Sequence, residues 1–477
     1  MRLVSGLLVG GIWAFLVLGC NGAGEETGEQ LAPVSPGNPS CPSSPVQAPV
    51  LGRVLGDHAQ LEAPGSRPVA AALAPDGTTI VAGAFRGTLD LGSSSLESAG
   101  GTDVFVLALE QTGAVRWARR MGGAGDERFY GLAVGGLGGI YVAGGLTEAA
   151  DFGTGELGPG PESFDAVVLA KLDPAGASVW SRVYTGGELS VATDIAADAE
   201  DGVVIGGNFE GRNFDLGGGP VGVHGFGYLA RIDAEGETQF VHLLRGSTDQ
   251  EILDIAAGAP GEAVAVGWME RIAIDGGDEV KGAGLTDGYM ASFGGSSGDL
   301  RWLEAFGTSE DEEAVAVALD ANGGVVIAGR HGEALDLGNG ATLPAASGMS
   351  AFWARIDRET GAAVRAHALP FTPHLGADAA GGILLAGDFE GNAEIGGSAF
   401  TSEGGKDAVV VRVDDQDVVR WSRQLGGAGD VTVNGLAVDG CGRSALTGTF
   451  TGELDLGNGR VLEAGAGGSV FVATYVP

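Results

Sequence analysis

The sequence predicts an all-β protein, a seven-bladed β-propeller with about 61 residues in each four-stranded blade. Three observations lead there: a phrase that recurs at a near-constant period, strand-like segments within each period, and chain ends that are out of phase with the repeats. The recurring phrase is an apolar stretch ending in Gly, a short variable piece, then Asp-Leu-Gly or a close variant. It occurs as IVAGAFRGTLDLG (80–92), IYVAGGLTEAADFG (140–153), VVIGGNFEGRNFDLG (203–217), AVAVGWMERIAIDGG (263–277), VVIAGRHGEALDLG (325–338), LLAGDFEGNAEIGG (384–397) and ALTGTFTGELDLG (445–457). Its acids are Asp90, Asp151, Asp215, Asp275, Asp336, Glu394 and Asp455, spaced 58 to 64 residues apart. A fixed period of that length marks units that bury their faces against neighbours of the same kind.

Each unit holds four short apolar segments. In the second they are YGLAVGG (130–136), GIYVAGGL (139–146), DAVVLAKLD (165–173) and ASVWSRVYTGG (177–187). All are rich in Val, Ile, Ala and aromatics and are bounded by Gly, Pro and Asp, as strands are. Asp173-Pro174-Ala175-Gly176 reads as a hairpin turn, because Pro presets φ and Gly supplies a permissive last position.

The ends of the chain give the phase. FVATYV (471–476) matches a third strand, while LGRVLG (51–56) lines up with WARRMG (117–122) and WSRQLG (421–426), which are fourth strands. The first ordered strand is therefore expected to complete the last blade, which leaves fewer bare sheet edges. Residues 50–477 then form one domain.

Composition agrees with this fold. The chain has 477 residues, with 89 Gly and 44% hydrophobic residues. The apolar fraction excludes a disordered polyelectrolyte. The Gly content excludes a mainly helical protein. With 26 Lys+Arg against 62 Asp+Glu, the net charge is −36, and nucleic acid is excluded as a partner because phosphate binding needs clustered cations.

The first 20 residues, MRLVSGLLVGGIWAFLVLGC, carry a positive start and an apolar run from Leu7 to Leu18, short for a bilayer span. The ending Val17-Leu18-Gly19-Cys20 resembles a bacterial lipoprotein signal. The resemblance implies a signal peptide over 1–19, lipidation of Cys20, and export to the bacterial cell envelope. Asn21 follows the Cys and favours the outer membrane. Residues 20–49 read as a disordered tether, with Pro at 33, 36, 39, 42, 45 and 49. The pattern YVAG-x-F…DLG…DAFVAKLD…W-S-R…GG-x-G-D, followed with variations from unit to unit, is similar to the SBBP-type beta-propeller repeats of secreted and lipid-anchored proteins in myxobacteria and their relatives. That resemblance covers nearly all of 50–477 and implies the propeller fold without an activity. Units four (Ile274-Asp275-Gly276-Gly277) and six (Pro370-Phe371-Thr372-Pro373-His374) depart from the pattern and are expected to be irregular.

With Cys20 lipidated, Cys41 and Cys441 remain, in an oxidising compartment. Cys441 falls in the turn between the first two strands of the seventh unit. Cys41 precedes the closing strand, and three strand spacings, roughly 14 Å, separate the two places. A Cys41–Cys441 disulfide stapling the ring is the expectation.

A search for chemistry finds little. The six His form no pair at metal-ligand spacing. His242 and His367 share a column with Arg53, Arg119, Arg182, Arg423 and Glu304, which fits pairing with neighbouring acids. Gly294-Gly295-Ser296-Ser297-Gly298 matches G-x-S-x-G, but at a hairpin position rather than a strand-to-helix turn. Thr112-Gly113 followed by Trp117 is similar to a motif of quinone-dependent dehydrogenase propellers, whose repeat is shorter. Acidic loops between units offer Asp126, Asp249, Asp311 and Asp430 as weak Ca²⁺ candidates, without the alternating Asp order of a calcium loop. The repeated acids of the Asp-Leu-Gly phrase read as turn caps. No catalytic residue and no cofactor is expected. The reading is a monomeric, lipid-anchored envelope propeller that binds or scaffolds a protein or glycan, without enzymatic activity. The alternative is a hydrolase or lyase with carboxylates at the mouth of the central channel.

Overall fold

The computed structural model describes residues 49–476, apart from 62–65, 161–164, 187–188, 212, 222–225, 247–249, 285, 321–322, 346–348 and 458. The signal and the tether lie outside the described residues. Seven antiparallel sheets form the blades of a propeller, four strands to a blade. The inner strands are Ala70–Leu73, Glu127–Val134, Leu189–Ala197, Gln250–Ala257, Glu313–Leu319, His374–Ala377 and Val431–Val438. Each touches the next, and the seventh touches the first, so they wall a central channel.

Closure is as the phase of the repeats requires. Pro49–Asp57 runs antiparallel to Ser469–Tyr475, with Leu51 opposite Thr474 and Val54 opposite Phe471. The N-terminal strand is thus the outer strand of the seventh blade. The irregular first strand expected in unit six is short, His374–Ala377.

The two middle strands of a blade are covered on both faces by neighbouring blades. All seven residues of Ile140–Leu146 and of Ala166–Leu172 are buried. They therefore read as continuous apolar runs rather than alternating ones. The core lies between blades. One cluster joins Tyr130, Tyr141 and Val167 of blade two to Ile205 and Tyr228 of blade three.

The Asp-Leu-Gly phrase turns out to be a clasp. In blade two, Ala150–Asp151 and Glu156–Leu157 form a small ribbon, and Asp151 pairs with Gly122 on the outer strand of blade one. Arg271–Ile274 of blade four pairs in the same way onto Thr238–Gly246 of blade three. Single bridges Thr185–Asp215 and Gly426–Asp455 repeat the contact. The residue after the acid anchors each clasp: Leu91, Phe152, Leu216, Leu337 and Leu456 are all buried. The acids shape the turns. Oδ1 of Asp90, Asp151, Asp215, Asp336 and Asp455 accepts the N–H two residues on, at 2.7–2.9 Å. Asp275 instead accepts from the Leu243 N–H at 2.9 Å and meets His242 Nδ1 at 2.6 Å. Glu394 lies within the continuous strand Ile383–Ile395, opposite Ala399.

A second interlock works from the outer strand to the next blade. Trp117, Trp180 and Trp302 each donate the indole N–H to a carbonyl in the following hairpin turn, at Pro174, Ala234 and Arg358. Two residues on, Arg53 and Arg119 donate to the Gly113 and Gly176 carbonyls at 2.8 Å, and His242 Nε2 lies 2.7 Å from the Gly298 carbonyl. His367 pairs with Asp417 at 3.0 Å. Gly176 has φ +77°, and a Cβ there would sit 2.6 Å from the Trp117 ring. Only a glycine suits both the turn and the contact.

Candidate functional site

The channel wall carries one position that differs sharply between blades. Five inner strands are bulged, with register shifts at Phe129/Gly131, Ala192/Asp194, Ile252/Asp254, Ala314/Ala316 and Val433/Gly435. A bulge inserts one residue and re-aims the side chain beyond it. The residue after it stands opposite Ala143, Gly206, Val266, Ala328 or Thr447 of the second strand. In the short inner strands of blades one and six, Ala70 opposite Ala82 and His374 opposite Ala386 take that place. The resulting ring is Ala70, Gly131, Asp194, Asp254, Ala316, His374 and Gly435. Four members are Ala or Gly; three can titrate.

Asp194 and Asp254 bind each other and the next blade. Asp194 Oδ2 accepts the Ile255 N–H at 2.8 Å, and Asp254 Oδ2 accepts the Val317 N–H at 2.7 Å. The two carboxyls influence one another's proton affinity. Burial pushes both pKa values up, and for Asp254 the Asp194 carboxyl beside it pushes further. Both groups are thereby biased toward their protonated forms. Across the ring, burial lowers the pKa of His374, and its Nε2 lies 3.2 Å from the Val433 carbonyl, which fixes that nitrogen as the donor.

Arg67 reaches into this ring. Its backbone N–H bonds the Phe129 carbonyl at 2.7 Å, and Ser66 Oγ accepts the Phe129 N–H at 3.1 Å. That seats the segment leading into blade one against the bulge of blade two. The side chain then crosses to blade four, where Nη2 donates to the Leu253 carbonyl at 3.2 Å. Its charge favours ionisation of Asp194, Asp254 and Glu251 and disfavours that of His374. Glu251 stands opposite Trp268 in the ladder, and burial raises its pKa. Nearby charges are neutralised in pairs, Glu313 with Arg330 at 2.7 Å and Arg128 with Asp165.

The opposite end of the channel opens into a cavity of about 620 Å³, formed by the turns between inner and second strands. Its wall is apolar at Ala197, Ala257, Leu319, Ala377 and Val438. Its carboxylates are spent: Asp198 on Arg231 at 2.6 Å, Glu262 on Arg301 at 3.1 Å and on Arg358, and Asp378 on Arg412. Asp194 and Asp254 do not line it.

The residues singled out in the sequence lie elsewhere. Asp126 Oδ1 accepts the Thr102 N–H at 2.9 Å, Asp430 Oδ1 the Lys406 N–H at 3.0 Å, and Asp311 Oδ1 the Thr286 hydroxyl at 2.8 Å. These acids tie loops to a neighbouring strand end. Asp249 lies outside the described residues, as do Cys20 and Cys41. Among the described residues no three His, Cys, Asp or Glu side chains converge as metal ligands. Cys441 sits in a turn whose Asp439 Oδ1 accepts its N–H at 2.9 Å. Gly294–Gly298 is a hairpin turn, closed by the Gly298 N–H on the Gly295 carbonyl at 3.0 Å. The channel acids and Arg67 escaped the sequence reading. Aligning the units on their inner strands would have exposed them, since Asp194 and Asp254 replace residues that are small in most units.

Comparison with known proteins extends the fold alone. No family model and no curated protein matches the chain. Among solved structures, the hydrazine synthase of Kuenenia stuttgartiensis aligns at 10% identity and TM-score 0.42, covering 83% of this chain and 95% of that one. A protein of unknown function from Dyadobacter fermentans aligns at 9% identity and TM-score 0.40, over 91% and 100%. A quinohemoprotein alcohol dehydrogenase from Comamonas testosteroni aligns at 12% identity and TM-score 0.37, over 89% and 76%. Likeness at this level carries no argument about activity. The class is that of seven-bladed repeat propellers.

Proposed function

We propose that this chain is an exported, lipid-anchored binding or scaffold module of the bacterial envelope, of the SBBP repeat type, whose ligand is a protein or a glycan. The single supporting observation is the contrast between blades: repeated residues are consumed in interlocks, while the channel wall carries Asp194, Asp254 and His374 where the other blades have Ala or Gly, and Arg67 reaches across it to blade four. Cys20 is the lipidated residue, residues 20–49 are the tether, and the 50–477 body is a monomer anchored to the outer membrane. Cys41 and Cys441 form a disulfide. Calcium is at most an accessory, at Asp126, Asp249, Asp311 or Asp430.

The test is capture of partners from an envelope extract with the mature protein, with and without Ca²⁺. An enriched protein or glycan supports the reading, and its absence counts against it. Globomycin should block processing before Cys20, and metabolic labelling with palmitate should mark the protein. Intact mass after alkylation, with and without reductant, tests the disulfide; a thiol that alkylates without reductant refutes it.

One feature favours an enzyme: the Asp194 and Asp254 carboxyls of the channel wall both have raised pKa values. Each already spends an oxygen on the next blade's backbone, which fits a blade-to-blade tie better than an acid–base pair free to turn over.

A further inference from the structure

We propose that Glu127 and Asp103 form a proton-operated switch in the seam between blades one and two: with a proton on Glu127 the pair locks the linker 122–129 in place, and loss of that proton releases the linker, the clasp of blade two and the crossing of Arg67. The inference goes beyond the binding-module reading and depends neither on the ligand nor on the lipid anchor.

The geometry calls for a proton. Both side chains are wholly buried. Glu127 Oε2 accepts the Gly123 N–H at 2.9 Å. Asp103 Oδ2 accepts the Ala99 N–H at 2.9 Å and meets Arg120 Nη1 at 2.7 Å. The other oxygen of each, Glu127 Oε1 and Asp103 Oδ1, is buried with no hydrogen-bond donor among the described residues. A Cβ on Gly122 would collide with Glu127 Oε2 and lie 2.9 Å from Asp103 Oδ1, so the two carboxyls close on one glycine. Two ionised carboxylates so placed are costly out of water, whereas one proton makes Glu127 a donor and Asp103 its acceptor.

The seam between blades four and five holds the same two residue positions without the unmet oxygens. Asp287 and Glu312 are as deeply buried. Asp287 Oδ1 and Oδ2 accept the Ala283 and Gly284 N–H groups at 3.0 Å. Glu312 Oε2 accepts the Thr308 N–H at 2.6 Å and Oε1 its hydroxyl at 2.8 Å. Every carboxylate oxygen there has a donor already.

The other charges around Glu127 do not replace the proton. Arg86 is turned to the Thr102 hydroxyl at 3.2 Å, and Arg128 to Asp165. Asp126 adjoins Glu127 and holds the Thr102 N–H, Glu148 packs beside Gly125, and Asp151 accepts the Gly153 and Gly155 N–H groups of its own turn. Burial pushes the Glu127 pKa up to about 7, Asp103 and Asp126 add to it, and the Gly123 N–H opposes them. A raised acid stabilises fully below its unfolded value and loses that contribution as pH rises toward the folded one. What it holds is specific: Gly122 and Gly123 pair with Asp151 and Ala150 of the clasp, and the Phe129 backbone seats Ser66 and Arg67.

The experiment is hydrogen–deuterium exchange of the mature protein at pH 6 and pH 8, with intrinsic exchange rates divided out. Residues 122–129 and 150–157 should open about tenfold more at pH 8, while residues 308–313 of the other seam should change by less than about twofold. Glu127→Gln, whose amide donates at either pH, should abolish the difference. Should that variant fail to fold, Asp103→Asn, which removes the neighbouring negative charge, should move the midpoint of the response to lower pH. Equal protection at both pH values, a response retained in Glu127→Gln, an unmoved midpoint in Asp103→Asn, or an equal response at residues 308–313 overturns the inference. Restoration of protection at pH 8 by millimolar Ca²⁺ overturns it as well, by showing that a cation and not a proton joins the pair.

Discussion

At the scale of single residues, the informative groups are acids whose pKa values burial raises. Asp194 and Asp254 have folded-state pKa values above their unfolded ones. For such acids stability is fully present below the unfolded pKa and is lost as pH rises toward the folded one. Asp254→Asn keeps an oxygen for the Val317 N–H and supplies a permanent donor to Asp194. Its urea midpoint should fall less than that of wild type as pH rises from about 4, the unfolded carboxylate value, and a parallel fall would refute the raised pKa values. Glu127, buried beside Asp103, follows the same sign, with burial as the main cause and a pKa pushed up to about 7. Glu127→Gln should raise the melting temperature at pH 8 and gain nothing of that kind at pH 5.

Gly176 gives a third residue-scale prediction. Gly176→Ala must strain a left-handed turn and push into Trp117, whereas Gly155→Ala, at φ +110° with nothing within 4 Å, meets strain alone. Gly176→Ala should cost roughly 1–2 kcal/mol more by urea denaturation, the difference reporting the interblade contact.

At the scale of elements, the clasp explains why the Asp-Leu-Gly phrase is the most regular part of the sequence. Its Asp closes the turn, its apolar residue is buried, and in blades two, three, four and seven its backbone pairs with the preceding blade. Leu216, 1% exposed, has no space to relax into. Leu216→Ala should destabilise by about 3 kcal/mol, read from the urea midpoint at unchanged slope. Asp215→Ala, which removes one turn cap and leaves the burial intact, should cost about 1 kcal/mol. Comparable losses would mean that the turn, not the buried side chain, holds the clasp. This element was only half legible in the sequence. The repeat and its turn chemistry can be read from Asp90, Asp151 and their counterparts, because turn preferences are local. That the ribbon pairs backward onto another blade is a contact between units, and nothing in the local pattern of 150–157 specifies it.

At the scale of the molecule, stability depends on closure. Pro49–Asp57 is the only element that joins the chain's two ends into one sheet among the described residues. Without it, Ser469–Tyr475 becomes a bare edge. A chain starting after residue 57 should lose its single cooperative unfolding transition and associate through that edge, as seen by light scattering. A monomer with an unchanged melt would show that the remaining six-and-three-quarter blades stand alone.

What the sequence by itself determined is the number of blades, their strands and the phase of the ends, because period, apolar runs and turn residues are properties of neighbouring positions along the chain. The candidate site was decided by tertiary structure alone. Arg67, Asp194, Glu251, Asp254 and His374 are scattered over some 300 positions. They come together only because the ring returns each inner strand to the same channel, and because bulges turn single residues inward. Their altered proton affinities arise from burial and from one another, which no stretch of sequence contains.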